Sequence, residues 1–170
     1  MKTAMSAVTG FDRIINGAKA SSPIPWQAHI RETGHTDGGG FCGGTILDAT
    51  TVLTAAHCFW NNGVTITDFS KYFIAAGHTK VTESTAQTAK VKSITLHPSY
   101  NQNQSGANDV AIIKLKTALT LNAKVKPACL PAATLTLSGA AVASGWGLVG
   151  QKPNKATSDL MVGTFGLFCH

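Results

Sequence analysis

Phe41-Cys42-Gly43-Gly44-Thr45-Ile46-Leu47 runs through a short Asp-Ala-Thr connection into Thr51-Val52-Leu53 and then Thr54-Ala55-Ala56-His57-Cys58. Both apolar runs are short and rich in β-branched residues, the signature of strands rather than helices. A bridge between Cys42 and Cys58 would close a loop of about 15 residues and contribute about 3 kcal/mol in the chain-entropy view. It would also fasten the backbone beside His57. A histidine with two cysteines also suggests zinc, but adjacent His57 and Cys58 lack the paired spacing of a zinc site. Taken alone, His57 beside a cysteine is more often structural than catalytic.

Working outward, strand-like segments recur at the spacing of an all-β barrel or sandwich. They are Ile24–Ile30, Phe41–Leu47, Thr51–Leu53, Tyr72–Ala76, Lys90–Leu96, Val110–Leu115 and Leu137–Gly147. Turn residues separate them: the glycine-rich stretch Thr33–Gly40, the Asn61-Asn62-Gly63 turn and the polar stretch Pro98–Asn108. Ala123–Ala133, with its two prolines, reads as a connection. The tail Leu148–His170 shows no clear period and receives no structure.

Hydrophobic residues make up 44% and charged residues 13%, a globular and not a disordered composition. The net charge of +6 raises nucleic acid as a partner, but the lysines stand singly among apolar residues and form no basic run interleaved with aromatics. Nucleic acid is therefore set aside. No apolar stretch reaches the roughly 18 residues of a membrane span, so no membrane partner is expected. Met1–Arg13 is too short and polar in its centre for a secretory signal, which therefore lies upstream or does not exist.

The second chemical signal is Asn108-Asp109-Val110-Ala111-Ile112-Ile113-Lys114-Leu115. An aspartate at the mouth of an apolar strand can be buried and still hydrogen-bonded. Set against an imidazole N–H, its carboxylate would fix the tautomer and stabilise the imidazolium. Alone, Asp109 is a turn residue at a strand entrance; with His57 it becomes a candidate catalytic partner.

Further segments run in a telling order: Arg13-Ile14-Ile15-Asn16-Gly17, Pro25-Trp26-Gln27, Ala75-Ala76-Gly77, Leu96-His97-Pro98-Ser99-Tyr100, Ala128-Cys129-Leu130-Pro131 and Ser144-Gly145-Trp146-Gly147. Together with the His57 and Asp109 motifs, this order resembles the trypsin/chymotrypsin family of serine endopeptidases, over about four-fifths of the chain. The resemblance implies an all-β double barrel with a Ser-His-Asp triad in the cleft, acting on protein or peptide substrates without cofactor or metal. It implies a secreted zymogen, activated by a protease that cleaves after Arg13. The ammonium freed on Ile14 would then pair with a buried aspartate.

One part of the pattern is missing. The family's nucleophile lies in a Gly-Asp-Ser-Gly-Gly motif beyond the Ser144–Gly147 segment, and no residue after Gly147 matches it. Ser158 has no glycine beside it and is a poor substitute. The expectation is therefore residues 1–13 as a propeptide-like segment, 14–147 as a partial protease domain and 148–170 as an unassigned tail. The first barrel would be complete, the second largely missing, and the chain inactive as it stands. A non-catalytic homologue acting as a binding or decoy module is the alternative, and a product that does not fold stably a third. Cys129 is left to pair with Cys169, pair between chains, or stay free. Calcium in the Ala76–Gln87 loop is rejected, because Glu83 is its single acidic residue.

Overall fold

A computed structural model describes residues 17–34, 42–61, 64–100, 106–132, 134, 138–147 and 157–167. Its strands are β1 (Ala18–Lys19), β2 (Gln27–Glu32), β3 (Cys42–Asp48), β4 (Thr51–Thr54), β5 (Trp60–Asn61), β6 (Val64–Thr65), β7 (Tyr72–Ala76), β8 (Gln87–Leu96), β9 (Ala111–Leu115), β10 (Gly139–Gly145) and β11 (Met161–Leu167). A single 3₁₀ turn, Ala56–Phe59, lies among them. Six strands close a barrel in the order β2-β3-β4-β9-β8-β7, and β1-β11-β10 form a separate three-stranded sheet. The all-β expectation and the complete first barrel are both present.

Side-chain alternation explains the closure. In β9, Ala111, Ile113 and Leu115 point into the core while Lys114 points out and donates to the Thr51 hydroxyl at 2.6 Å. In β8 the buried positions step from Ala89 and Val91 to Ile94 because a bulge lies between Val91 and Ser93. The extra residue resets the inward phase and bends the strand around the barrel. Gly44 is required in β3: a Cβ there would lie 2.7 Å from Val52 Cγ1 and 3.0 Å from the Leu53 carbonyl oxygen. Ala28, Ile30, Ile46, Val52, Ile74 and Ile113 are fully buried at the centre of the core.

Several strand ends shift by one to three residues from those read in the sequence, as in β8, which begins at Gln87 and not Lys90, and two differences have a clear physical reason. Strand β2 begins at Gln27 and not Ile24, because Pro25 has no N–H for a ladder and the chain turns there, with Gln27 N donating to the Ile24 carbonyl at 3.0 Å. The second difference lies in the tail: Met161–Leu167 is a strand, paired with β10 from Gly139↔Leu167 through Gly145↔Met161. Gly163 and Gly166 interrupt its apolar pattern, so no period of two is legible. The stretch Ala123–Ala133 behaves as a connection where described, strapped to the barrel by Lys126 N to the Pro25 carbonyl at 2.9 Å and Ala128 N to the Ile46 carbonyl at 2.8 Å.

The small sheet docks on the outer face of β2. Gln27, Ala28, His29 and Ile30 are all buried, which a strand with one wet face would not allow. Ala28 and Ile30 face the barrel core, while Gln27 and His29 face the sheet. There Ser144 donates to Gln27 Oε1 at 2.6 Å, and Trp146 stacks on both His29 and His78, with ring centroids at 4.4 and 4.7 Å. The Trp146 indole N–H donates to the Thr79 carbonyl at 3.1 Å. Val81 and Leu160 complete this second apolar cluster.

Both imidazoles are only 2% exposed, and none of their ring nitrogens makes a hydrogen bond among the described residues. Burial, then the neighbouring His78 and Arg31, hold the His29 pKa at about 3, well below its ordinary 6.5. Burial also lowers His78, with Arg31 adding to it; Glu83 and the nearby Ala76 carbonyl oppose the shift, although the carbonyl falls short of a hydrogen bond. Both groups fold as neutral rings. Their contribution to stability is therefore complete above pH 6.5, where the unfolded rings are neutral too, and is lost as pH falls from 6.5 toward the folded values. The loss is about 1.4 kcal/mol per pH unit for each ring that is charged only when unfolded. Urea midpoints at pH 7 and pH 5 should differ for the wild type and differ markedly less for His29→Phe. An equal acid sensitivity in the two proteins would contradict this account.

Candidate active site

The turn that carries His57 follows directly from β4. Ala55 is extended, and the 3₁₀ turn then buries Ala56, Cys58 and Phe59 while leaving His57 outside. Phe59 packs edge-on against Tyr72 with centroids 5.4 Å apart. Cys58 is disulfide-bonded to Cys42 on β3, with Cα atoms 6.3 Å apart. The backbone on both sides of His57 is thus anchored to the barrel, by packing and by a covalent bond.

Asp109 reaches the same place from the loop just before β9. Its Oδ2 lies 2.7 Å from His57 Nδ1, and its Oδ1 accepts the His57 backbone N–H at 2.8 Å. One carboxylate therefore holds the backbone and the ring of the same residue. With Nδ1 carrying the proton toward Oδ2, Nε2 is left as the basic nitrogen. The bridged Cys58 Sγ lies 3.8 Å from Nε2, but a disulfide sulfur carries no proton to donate and so does not occupy that lone pair. The side chains are 47% and 31% exposed, so the carboxylate is more open than the burial expected from its place at a strand mouth.

An open groove of about 500 Å³ lies between the barrel and the small sheet, with Asp109 of the pair on its wall. Asp109, Val110, Thr54 and Ala55 line it on the barrel side, and Val142 and Ser144 on the sheet side. Trp26 is exposed at its edge. Ser144 is the serine in this groove, and its hydroxyl is engaged by Gln27. Ser158 is exposed in the approach to β11. Among the described residues, no serine hydroxyl hydrogen-bonds His57.

Cys42, His57 and Cys58 also bring three potential metal-ligand atoms within 4.8 Å of one another. The disulfide consumes both sulfurs, and Asp109 takes Nδ1, so thiolate ligation is chemically closed. Glu83 accepts from Thr79 N at 3.1 Å and from the Thr85 hydroxyl at 2.8 Å, which ties its carboxylate into its own loop. Cys129 is exposed and bonds to no other cysteine among the described residues. Arg13, Ile14 and Cys169 lie outside the described residues.

Sequence reasoning did not single out Thr54, whose hydroxyl donates to the Gly43 carbonyl at 2.8 Å and ties β4 to β3 just before the turn that carries His57. Its position inside the quoted motif was the available signal. The partner of Gln27 is not legible in the sequence, because Ser144 is 117 residues away.

The barrel presents a histidine held at two points by a carboxylate, and that carboxylate lines an open groove. A sequence model of the Trypsin family matches residues 14–165, and the chain belongs to that family. It is 34% identical to "Serine protease SSP1" of Scolopendra subspinipes over 161 residues, covering 90% of this chain and 54% of the relative. It is 37% identical to "Transmembrane protease serine 9" of Rattus norvegicus over 161 residues, covering 88% of this chain and 14% of the relative. Neuropsin, a serine protease expressed in the limbic system of mouse brain, superposes with a TM-score of 0.71 at 26% identity, covering 89% of this chain and 63% of neuropsin. The chain spans about half the length of the Scolopendra relative. The family match continues past Gly147 into β11, so the stretch set apart as a tail includes family sequence.

The disulfide gives a direct test. Peptide mapping without reductant should recover Cys42 joined to Cys58, and replacing both by alanine should lower unfolding free energy by about 3 kcal/mol. Two free thiols at these positions would refute the bridge.

Proposed function

We propose that this chain is the base-bearing part of a serine endopeptidase that hydrolyses peptide bonds. The observation that carries this is the two-point grip of Asp109 on His57, at 2.7 and 2.8 Å. In that chemistry His57 Nε2 takes the proton of a serine hydroxyl as the oxygen attacks the scissile carbonyl. It later returns that proton to the leaving amine, while Asp109 steadies the imidazolium between the two steps. The 170 residues hold no Gly-Asp-Ser-Gly-Gly nucleophile motif, so on their own they are inactive. Triad members act as a unit, and a base without a hydroxyl to deprotonate accelerates nothing.

The finer expectations belong to the same reading. Activation would follow cleavage by a protease between Arg13 and Ile14, and the substrate would be a protein or peptide. A secreted location is supported by the disulfide, which persists in oxidising compartments, and by the family. Neither nucleic acid nor membrane is a proposed partner; no helix among the described residues is long and apolar enough to cross a bilayer. A second reading, a non-catalytic homologue used for binding, draws on Ser144 being held by Gln27 and away from the base.

Labelling with a serine-directed fluorophosphonate separates these. The 170-residue chain should take up no probe, before or after trypsin treatment. Any longer product of the same gene that carries Gly-Asp-Ser-Gly-Gly should be labelled, and Asp109→Asn should slow that labelling by orders of magnitude. Stoichiometric labelling of the 170-residue chain would overturn the inactivity. A labelling rate indifferent to Asp109→Asn would overturn the role of the pair.

A further inference from the structure

Asp109 is not held by a strand ladder. Strand β9 begins at Ala111, so the carboxylate projects from the last residues of a loop, where a small backbone rotation would swing it off His57. Its neighbour is unusual. Asn108 has φ of +62°, and it is the one non-glycine residue in the left-handed region among those described. Asparagine tolerates that conformation better than most residues, and so does glycine. Left-handed backbone alone therefore does not call for asparagine.

The side chain supplies a further reason. Asn108 Nδ2 donates to the Ser99 carbonyl at 3.1 Å, across nine positions of chain. The Asn108 carbonyl in turn accepts from Val110 N at 2.7 Å, closing a tight three-residue turn with Asp109 at its apex. The Val110 carbonyl accepts from His97 N at 2.9 Å, and His97 Nδ1 accepts from Ser99 N at 3.1 Å. Tyr100, the next residue, is buried and meets Trp60 edge-on at 5.6 Å. Trp60 directly follows the turn that carries His57. Leu96–Tyr100 is thus the platform on which the Asp109 turn rests, and it leads back to the His57 turn.

We propose that Asn108 is a positioning residue: its amide, anchored on the Ser99 carbonyl, locks the turn that aims Asp109 at His57. The proposal rests on the reading of His57 and Asp109 as a general-base pair. It also assigns a role to the Leu96–Tyr100 segment, which otherwise contributes no group to the chemistry.

Nitrogen-15 NMR of the histidine rings tests it in the 170-residue chain, at alkaline pH where the ring is neutral. The wild type should show His57 mainly as the Nδ1–H tautomer, since that proton faces the carboxylate, although free imidazole favours Nε2–H. Asn108→Gly keeps the left-handed backbone without strain and removes only the anchor. It should lose the dominance of the Nδ1–H form while the methyl resonances of Val52 and Ile113 stay in place. A folded Asn108→Gly protein with the wild-type tautomer would overturn the proposal. One Asn108 side-chain amide proton of the wild type should also exchange slowly, and exchange at the free-solution rate would overturn the proposal without any variant. A wild type already dominated by Nε2–H would remove the His57–Asp109 pair itself, a distinct failure with a distinct signal.

Discussion

The pairing of β4 with β9 is the constraint on which the site depends. Thr51 sits across from Lys114 and Thr54 across from Ala111, so the outgoing end of one strand meets the incoming end of the other. His57 lies three residues beyond Thr54 and Asp109 two before Ala111, which brings residues 52 apart in sequence into contact. A slip of one residue would turn the inward set of β9 to the outside, because strand side chains alternate with a period of two. The core thereby fixes the register, and the register fixes the site. Ile113 and Val52 are fully buried opposite one another, so the energy that holds the dyad together is largely apolar burial some distance from it.

Around that register the protein adds local restraints of different kinds. The Cys42–Cys58 bond and the Thr54–Gly43 hydrogen bond both tie the turn that carries His57 to β3. Asp109 adds a third tie through the His57 backbone N–H. Half-exposed side chains are otherwise free to change rotamer, and a base that wanders loses the orientation that makes a proton transfer efficient. The arrangement restrains the ring through Nδ1 and the backbone while the His57 side chain stays 47% exposed.

The junction of barrel and small sheet works on another principle. Two neutral imidazoles lie against one indole, with Arg31 close enough to disfavour a proton on either. Replacing them by aliphatic residues would preserve the burial and lose the pH dependence. Burial of these neutral rings links the docking of the sheet to pH.

Local residue order was enough to reveal the strands of the barrel, the connection after Asn122, the cysteines that form the bridge and the two residues of the dyad. These features are legible because period-two burial, turn chemistry and short motifs are properties of neighbouring residues. Strand β11 was not legible: Gly163 and Gly166 erase its alternation, and its partner β10 is what makes it a strand. His29, His78 and Trp146 look like unrelated residues until closure of the barrel and docking of the sheet stack them. Asn108 looks like an ordinary turn residue until the Ser99 carbonyl appears at 3.1 Å. Sequence determines which groups are present and which way each strand faces; only long-range contact, bought with apolar burial, decides which distant polar groups meet.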